Sequence, residues 1–335
     1  MMKIAVDAMG GDFGCKTTVE GAILAVKKFK DIEIVLYGDE EQIKPHLTDS
    51  TRISVVHTDS AVDMGEKDPV KQIRNNRKSS LVLSMRSAKE GETDAVVTAG
   101  PTQAVIVGAH LIIKRLPQMS RVALCPIIPS FDKRGKLMLD VGANVELKPE
   151  HLLDLTIFAS VAAKEFLNVE SPKVGLLNIG TEPGKGREFE KEVARLLTES
   201  PRINFYGNVE TKEIITNECD ILVTDGFTGN MVMKTMEGVA KGMGEILKEE
   251  IASSTKGKIG YLFMKKNLKN YKKRLDASEI GGAMIIGINV PVIKAHGNSD
   301  GYAFFNAIRQ ARSLVSNDII NKVTACLPVR EEMHE

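Results

Sequence analysis

The sequence has no tryptophan, few cysteines and almost no net charge, and each shortage excludes a class of protein. The four cysteines, Cys15, Cys125, Cys219 and Cys326, are far apart and form no C-x-x-C pair, so we expect reduced thiols rather than a disulfide framework. Basic residues number 45 and acidic residues 44, for a net charge of +1. No overall field therefore favours nucleic acid as a partner.

Long apolar runs are also missing. The longest fall well short of the ~20 residues that span a bilayer. The N-terminus, M-M-K-I-A-V-D, reaches an acidic residue too early for a secretory signal, so we expect a cytoplasmic protein. The six histidines are scattered without an H-E-x-x-H motif, and we expect neither a metal nor any other cofactor.

What the sequence does contain is a repeated alternation of short β-branched runs with amphipathic stretches. Apolar strands alternating with helices predict an α/β fold, a three-layer α/β/α arrangement with a mostly parallel sheet covered on both faces. No linker marks a boundary, so residues 1–335 are predicted to form a single domain. The predicted strands are 3–6, 32–36, 53–56, 95–98, 122–128, 137–141, 174–178, 203–206, 221–224 and 292–295, and the clearest helices are 17–29, 79–89, 102–114 and 149–166.

One region, from 231 to 275, breaks the alternation because apolar residues there recur every three or four positions. We predict a helical hairpin over 228–277 that projects from the α/β body. Gly238, Gly242 and Gly244 lie in its first helix, where we expect them to permit close packing.

Glycines and small polar residues follow seven of the predicted strands. In open α/β sheets ligands bind at the carboxyl ends of the strands, and glycines let backbone N–H groups approach an anion there. We therefore expect one anion-binding crevice at one sheet edge. The chain has no Walker loop, no G-x-G-x-x-G after a strand and no G-x-S-x-G elbow, which favours a small anion over a nucleotide. The seven loops are 7–12, 98–102, 140–144, 178–186, 206–208, 224–230 and 294–297.

Four residues in these loops leave alternatives open. Lys185, between two glycines, is either a cation at the crevice or a solvated loop lysine. His296 either donates a proton or satisfies a neighbouring carbonyl. Asp7 and Asp12 either cap the next helix or orient a catalytic cation.

Together these motifs closely resemble the phosphate acyltransferase family of bacterial phospholipid synthesis, the acyl-ACP:phosphate acyltransferases. The resemblance implies a fold like that of isocitrate and isopropylmalate dehydrogenases and phosphotransacetylase. It also implies a homodimer without a nucleotide that associates peripherally with the inner face of the cell membrane. The expected partners are acyl carrier protein, inorganic phosphate and a downstream membrane glycerol-3-phosphate acyltransferase. The matching stretches are 7–12, 79–80, 139–144 with 148–151, 175–182 with 185–186, 207–210, 223–230, 281–282, 291–297 and 308–311.

The resemblance and the loop positions also suggest roles. Lys185 would be the cation near the developing charge, Asn230 a hydrogen-bond donor, and His296 an aid to the leaving sulfur. The second helix of the hairpin would contact an anionic membrane or the acidic carrier protein, unless it packs in the dimer. The residues expected at that contact are Tyr261, Leu262, Lys265, Lys266, Leu268 and Lys269. The residues expected to bind substrate or phosphate are Asp7, Gly10, Gly11, Asp12, Thr98, Gly100, Thr102, Asn144, Asn178, Gly180, Thr181, Asp225, Gly226, Thr228 and Lys294.

The sequence departs from the family at three places. Pro101 and Gln103 stand in a loop that usually reads A-G-N-T-G-A, and proline removes an N–H donor there. Phe13-Gly14-Cys15 and Arg121-Val122 replace x-A-P and Arg-Pro. A related enzyme that uses another thioester, a decarboxylating dehydrogenase and a non-catalytic acyl-binding protein remain alternatives.

Overall fold

The computed structural model describes residues 1–63, 65, 68–275 and 281–328. The strands are β1 (Met2–Asp7), β2 (Ile32–Gly38), β3 (Ile53–His57), β4 (Ala95–Thr98), β5 (Ala123–Cys125), β6 (Ile127–Ile128), β7 (Lys136–Leu139), β8 (Lys173–Asn178), β9 (Asn204–Glu210), β10 (Ile221–Val223), β11 (Ala283–Ile286) and β12 (Val292–Lys294). The helices are α1 (Cys15–Lys28), α2 (Glu40–Ile43), α3 (Pro69–Asn75), α4 (Ser80–Lys89), α5 (Thr102–Gly108), α6 (Pro149–Leu167), α7 (Glu188–Glu199), α8 (Gly226–Ala252), α9 (Thr255–Leu275), α10 (Gly301–Ser316) and α11 (Ile319–Cys326).

These strands form two sheets. The large sheet has the order β3-β2-β1-β4-β12-β11-β5, and the small sheet has the order β6-β7-β10-β8-β9. Neighbours pair in parallel except around β11 and between β6 and β7. The predicted α/β class with mostly parallel strands is confirmed, but the strands are divided between two sheets.

The central strands β1, β4 and β10 are buried on both faces because helices cover both sides of each sheet, whereas the edge strands β3 and β9 are partly exposed. In β1, Ile4 and Val6 point into one hydrophobic cluster and Ala5 into another. In β10, Ile221 shares the cluster of Ile4, whereas Leu222 faces the far side of the small sheet. One core therefore continues from one sheet into the other. A single domain over 1–335 stays a prediction, which this shared core supports.

Two local predictions are wrong, and one strand is missing from them. The predicted strand 122–128 is divided between β5 and β6, which belong to different sheets and are separated by Pro126, a residue without an N–H donor. The predicted helix 102–114 ends as an α-helix at Gly108 and continues as a π-helical turn, Ala109–Ile113. The antiparallel strand β11 was not predicted.

The hairpin is formed by α8 and α9, and the predicted residues 276–277 lie outside the described part of the chain. Val232, Met233 and Met236 pack on the small sheet, and α8 is exposed beyond them. A Cβ added at Gly238, Gly242 or Gly244 would meet no atom within 4 Å. The prediction that these glycines permit close packing is therefore wrong for contacts within one chain. Among the described helices, none is both long and apolar enough to cross a bilayer.

Candidate active site

Three glycine loops meet at the carboxyl edge of the large sheet, after β1, β4 and β12. A Cβ on Gly10 would lie 2.7 Å from the backbone nitrogen of Gly100, and one on Gly11 would lie 3.0 Å from the carbonyl oxygen of Gly297. Gly11 also has φ +94°, a conformation that favours glycine. The backbone N–H of Asp12 donates to the carbonyl of Gly297 at 2.8 Å. Side chains at the glycine positions would separate these loops.

Asp7 organises this edge. Its buried carboxylate accepts hydrogen bonds from Ser80 Oγ at 2.6 Å and Thr98 Oγ1 at 2.7 Å, and Thr98 Oγ1 accepts from the N–H of Gly100 at 2.9 Å. Burial raises the pKa of Asp7, and these hydrogen bonds partly lower it again. Neither Asp7 nor Asp12 caps α1, whose N-cap residue is Gly14 without a side-chain hydrogen bond. The helix-capping alternative is therefore wrong.

Lys294 provides a buried cation at the same edge. Its residue is 9% exposed, and Nζ donates to the carbonyl oxygen of Ala295 at 2.5 Å. Among the described residues no carboxylate lies within ion-pair distance of Nζ. Burial lowers the pKa of Lys294 to about 8, opposed by the charges of Asp12 and Asp7 and assisted by the ammonium of Lys234 on α8.

Asp140 has the matching structural role at the edge of the small sheet. Its buried carboxylate accepts from the N–H groups of Leu124 and Ala143, both at 3.0 Å, and from the N–H of Asn144 at 2.7 Å. Burial raises the pKa of Asp140, and these hydrogen bonds lower it in part. The side-chain amide of Asn144 donates to Asp140 and to the carbonyl of Val122. The loop after β7 is thus tied to the large sheet.

The N-terminus of α8 packs on this loop. Asp225 caps the helix by accepting from the N–H of Thr228 at 2.7 Å and from its hydroxyl at 3.0 Å. A Cβ on Gly226 would overlap the carbonyl oxygen of Asn144, and one on Gly229 would overlap that of Asp140. The first N–H groups of a helix have no intrahelical acceptor, so this 27-residue helix presents a partial positive charge. Such an end favours an anion.

Lys185 lies on a loop that folds back on itself. The amide of Asn178 closes this loop, accepting from the N–H of Ile179 at 2.8 Å and donating to the carbonyl of Lys185 at 3.0 Å. A Cβ on Gly180 would lie 3.2 Å from Lys185 Cγ, so the lysine side chain passes over that glycine. The ammonium is exposed. Asn178 therefore positions Lys185 and has both ends of its amide engaged in doing so.

Arg187 joins this loop to α8. Its guanidinium donates to Glu190 and to Asp225, the latter at 2.5 Å. The first turn of α7 and the first turn of α8 are thereby held together. The backbone N–H of Arg187 also donates to the Glu190 carboxylate at 2.7 Å, and a Glu three residues after the N-cap is the one sign of this arrangement in the sequence. Sequence reasoning names neither Arg187 nor Asp140 as a site residue.

The prediction of a single sheet edge is wrong, because the loops belong to two edges. Helix α8 nevertheless lies near both edges. Asn230 and Lys234 are one turn apart on α8, and the charge of Lys234 acts on Lys294 at the other edge. The expected loop at 206–208 is also wrong, since these residues lie inside β9, where Asn208 donates to the carbonyl of Glu182 at 3.0 Å.

The other predicted site residues are mostly exposed. His296 is exposed in the turn after β12, and its Nδ1 lies 3.5 Å from the N–H of Asn298. Thr181 is exposed, and Thr102 begins α5. Asn230 is exposed on α8, with Nδ2 3.3 Å from where a Cβ of Gly142 would be. In the described ranges no three His, Cys, Asp or Glu side chains are arranged to hold a metal ion.

Comparisons with known proteins identify the family of this chain. Residues 2–322 match the family described as "Fatty acid synthesis protein". The chain is 49% identical over 334 residues to a "Phosphate acyltransferase" of Acholeplasma laidlawii (strain PG-8A), covering 99% of this chain and 100% of that relative.

Among solved structures, a phosphotransacetylase from Streptococcus pyogenes matches with a TM-score of 0.61 at 16% identity, covering 94% of each chain. A 4-hydroxythreonine-4-phosphate dehydrogenase from Klebsiella pneumoniae matches with a TM-score of 0.50 at 10% identity, covering 94% of this chain and 99% of that one. At such identities these structures show the fold alone. The predicted fold, shared by phosphotransacetylases and dehydrogenases, is confirmed.

Proposed function

The chain belongs to the fatty acid synthesis protein family and is an acyltransferase, and on this basis we propose that it transfers a fatty acyl group from acyl carrier protein to inorganic phosphate. The product would be an acyl phosphate for phospholipid synthesis. The observation that carries the proposal is the position of α8, whose first turn is joined through Arg187 to the loop of Lys185 and whose Lys234 acts by its charge on the buried Lys294. We infer a cleft between the two sheet edges there, bordered by Lys294, the loop of Lys185 and the helix N-terminus. Two lysines and a helix N-terminus would suit a small dianion such as phosphate. The 49% identical relative is named "Phosphate acyltransferase", which supports phosphate as the acceptor.

In the proposed reaction a phosphate oxygen attacks the thioester carbonyl carbon. The C–O bond forms, the C–S bond breaks, and the electron pair leaves with the thiolate. Because a thiol has a pKa of about 8.5, its thiolate leaves without strong acid catalysis. The enzyme then contributes mainly by positioning the reactants and by donors aimed at the developing oxyanion.

The residues divide into two groups. Lys185, Asn230 and the amides of Gly180 and Gly226 face the developing charge, and His296 assists the leaving sulfur. Lys294 and the loop amide at Gly11 hold phosphate. Seven further predicted residues act by position, because their polar groups are already engaged in the hydrogen bonds described above: Asp7, Thr98, Gly100, Asn144, Asn178, Asp225 and Thr228.

A comparison of donors tests the carrier protein as substrate. We expect phosphate-dependent thiol release to be at least about tenfold faster from palmitoyl carrier protein than from palmitoyl-CoA at equal concentration. Equal rates would mean that the protein recognises only the acyl thioester and not the carrier protein.

Replacing Pro101 with Asn and Gln103 with Gly would show whether this unusual loop, at the start of α5, sets the donor preference.

Phosphate binding should depend on pH through Lys294. Burial lowers its pKa to about 8, so the ammonium is present below that pH and is lost as the pH rises through it. Between about pH 7 and about pH 9, KM for phosphate should rise about tenfold in the wild type. In Lys294→Met it should already be high at pH 7 and should change little. A parallel rise in both proteins would remove Lys294 from phosphate binding.

We further propose that the protein is a cytoplasmic homodimer whose α9 helix meets the anionic inner face of the membrane. There the acyl phosphate would reach the glycerol-3-phosphate acyltransferase. Phe263 is 84% exposed and Leu262 70%, and no acidic residue occurs from Ser253 to Leu275. Apolar side chains among lysines are typical of helices that lie in a membrane interface. Tyr261 and Leu268 lie on the other face of α9, where Leu268 is half-buried.

Charge reversal tests this contact. Replacing Lys265, Lys266 and Lys269 with Glu should lower the affinity for anionic vesicles at least about 100-fold, since each lysine near such a surface contributes about 1 kcal/mol. The measurement is cosedimentation with vesicles of phosphatidylglycerol. Reversal of Lys27, Lys28 and Lys30, which lie on the body, is the control and should leave binding near the wild-type level. Equal effects from both triple variants would contradict a specific α9 contact.

A further inference from the structure

A cavity of about 370 Å³ lies beside the first turn of α8, and none of the roles above uses it. Its apolar walls are Val145, Leu147, Phe189 and Phe227, and the charged residues Glu146, Arg187 and Asp225 also line it. The volume falls within the range of about 300–1,000 Å³ that is usual for small-molecule pockets. The cavity is therefore large enough to hold part of a substrate.

The walls expose apolar surface that a folded chain normally covers. Val145 is 73% exposed and Phe227 60%, although each is next to a residue whose N–H donates to a carboxylate, Asn144 to Asp140 and Thr228 to Asp225. Leu147 and Phe189 are partly buried and pack against the main core. Neighbouring exposed apolar side chains on a rigid support usually mark a binding surface.

The charges at the cavity suit a neutral occupant. The guanidinium of Arg187 is paired with Glu190 and with Asp225, so the one cation in the lining is already neutralised. An anion would find no free positive partner there and would also face the exposed Glu146. An uncharged hydrocarbon would bury the four apolar walls without breaking an ion pair.

The cavity adjoins the groups proposed to act on phosphate and carbonyl. Phe227 stands between Gly226 and Thr228 in the first turn of α8, and Val145 directly follows Asn144. A thioester carbonyl at the helix N-terminus would therefore place its alkyl chain at the cavity mouth. We propose that this cavity is an acyl pocket that holds the hydrocarbon chain of the donor, an inference that rests on the proposed function.

A chain-length series tests the acyl pocket. For each protein, kcat/KM is measured for butyryl and hexadecanoyl carrier protein at saturating phosphate. In Phe227→Ser the ratio of hexadecanoyl to butyryl kcat/KM should fall about tenfold or more, because each methylene that loses its apolar contact weakens binding severalfold. Val145→Ser should lower the same ratio and provides a second variant if Phe227→Ser does not fold. Val145→Trp, which narrows the pocket, should shift the preferred donor towards shorter chains.

Phe131→Ser is the matched control. Phe131 is 72% exposed, like Phe227, but lies at the amino-terminal edge of the small sheet, so the ratio should stay within about twofold of wild type. A wild-type ratio in active Phe227→Ser and Val145→Ser proteins would overturn the acyl pocket and leave the proposed function intact. A wild-type ratio together with loss of the dimer in gel filtration would assign this surface to a second copy of the chain, which also overturns it. If the wild type turned over neither donor, the proposed function itself would fail.

Discussion

Lys185→Ala should lower kcat by about 100- to 1,000-fold while the protein stays folded. This is the usual cost of removing one preorganised group that stabilises a developing oxyanion. The backbone around Lys185 is suited to hold such a group in place, since Gly184 and Gly186 have φ +86° and +92° and Asn178 holds the lysine carbonyl at 3.0 Å. Because the ammonium is exposed, its loss removes no core packing.

Two further variants make this prediction specific. Lys191→Ala, at another exposed lysine on the following helix, should keep kcat within about twofold of wild type, since its ammonium forms a surface ion pair with Glu188. Lys185→Arg should recover part of the lost rate by restoring the charge. If Lys185→Ala turned over at the wild-type rate, with an unchanged circular dichroism spectrum, Lys185 would have no catalytic role.

Gly229→Ala should destabilise the protein by about 3 kcal/mol or more and should abolish activity. Its Cβ would overlap the backbone carbonyl of Asp140, and that carbonyl cannot move because the Asp140 carboxylate is held by donors from two segments. The clash would push α8 away from the loop after β7. Asn230 and the helix N-terminus would then leave the cleft. The melting temperature and phosphate-dependent thiol release measure the two effects.

Gly238→Ala, further along α8, provides a control of opposite sign. An added Cβ there meets no atom within 4 Å, so only helix propensity changes, and we expect stabilisation of up to about 1 kcal/mol. Destabilisation by Gly238→Ala with loss of the dimer would mean that this face of α8 packs on a second copy. If Gly229→Ala and Gly238→Ala both kept the wild-type melting temperature, the close packing of Gly229 on Asp140 would be contradicted.

The local pattern of the sequence predicts most elements because each buried strand is a short apolar run between turn residues. It does not predict how the strands pair. Residues 122–128 are a single apolar run, yet β5 joins the large sheet and β6 the small sheet, a division that only Pro126 indicates. The four apolar residues of β11 have no period by which a strand can be recognised.

The same limit applies to the site. Glycine and small polar residues at strand ends correctly indicate loops that could bind an anion, but their distribution over two sheets depends on strand order. Asp140 and Arg187 were missed because their partners are distant in sequence: Asp140 accepts from Leu124, and Arg187 donates to Asp225. Lys294 could be predicted from the sequence alone, since a lysine at the end of a buried strand indicates a charge that needs an anionic partner.

The most direct test of the account is to incubate the wild-type protein with palmitoyl carrier protein and to measure free carrier thiol and hydroxylamine-trapped acyl phosphate in the same samples. With phosphate present, the two products should form in equal amounts, and without phosphate neither should form. Thiol release at the same rate without phosphate, or release of free fatty acid in place of acyl phosphate, would contradict phosphate as the acyl acceptor in this cleft.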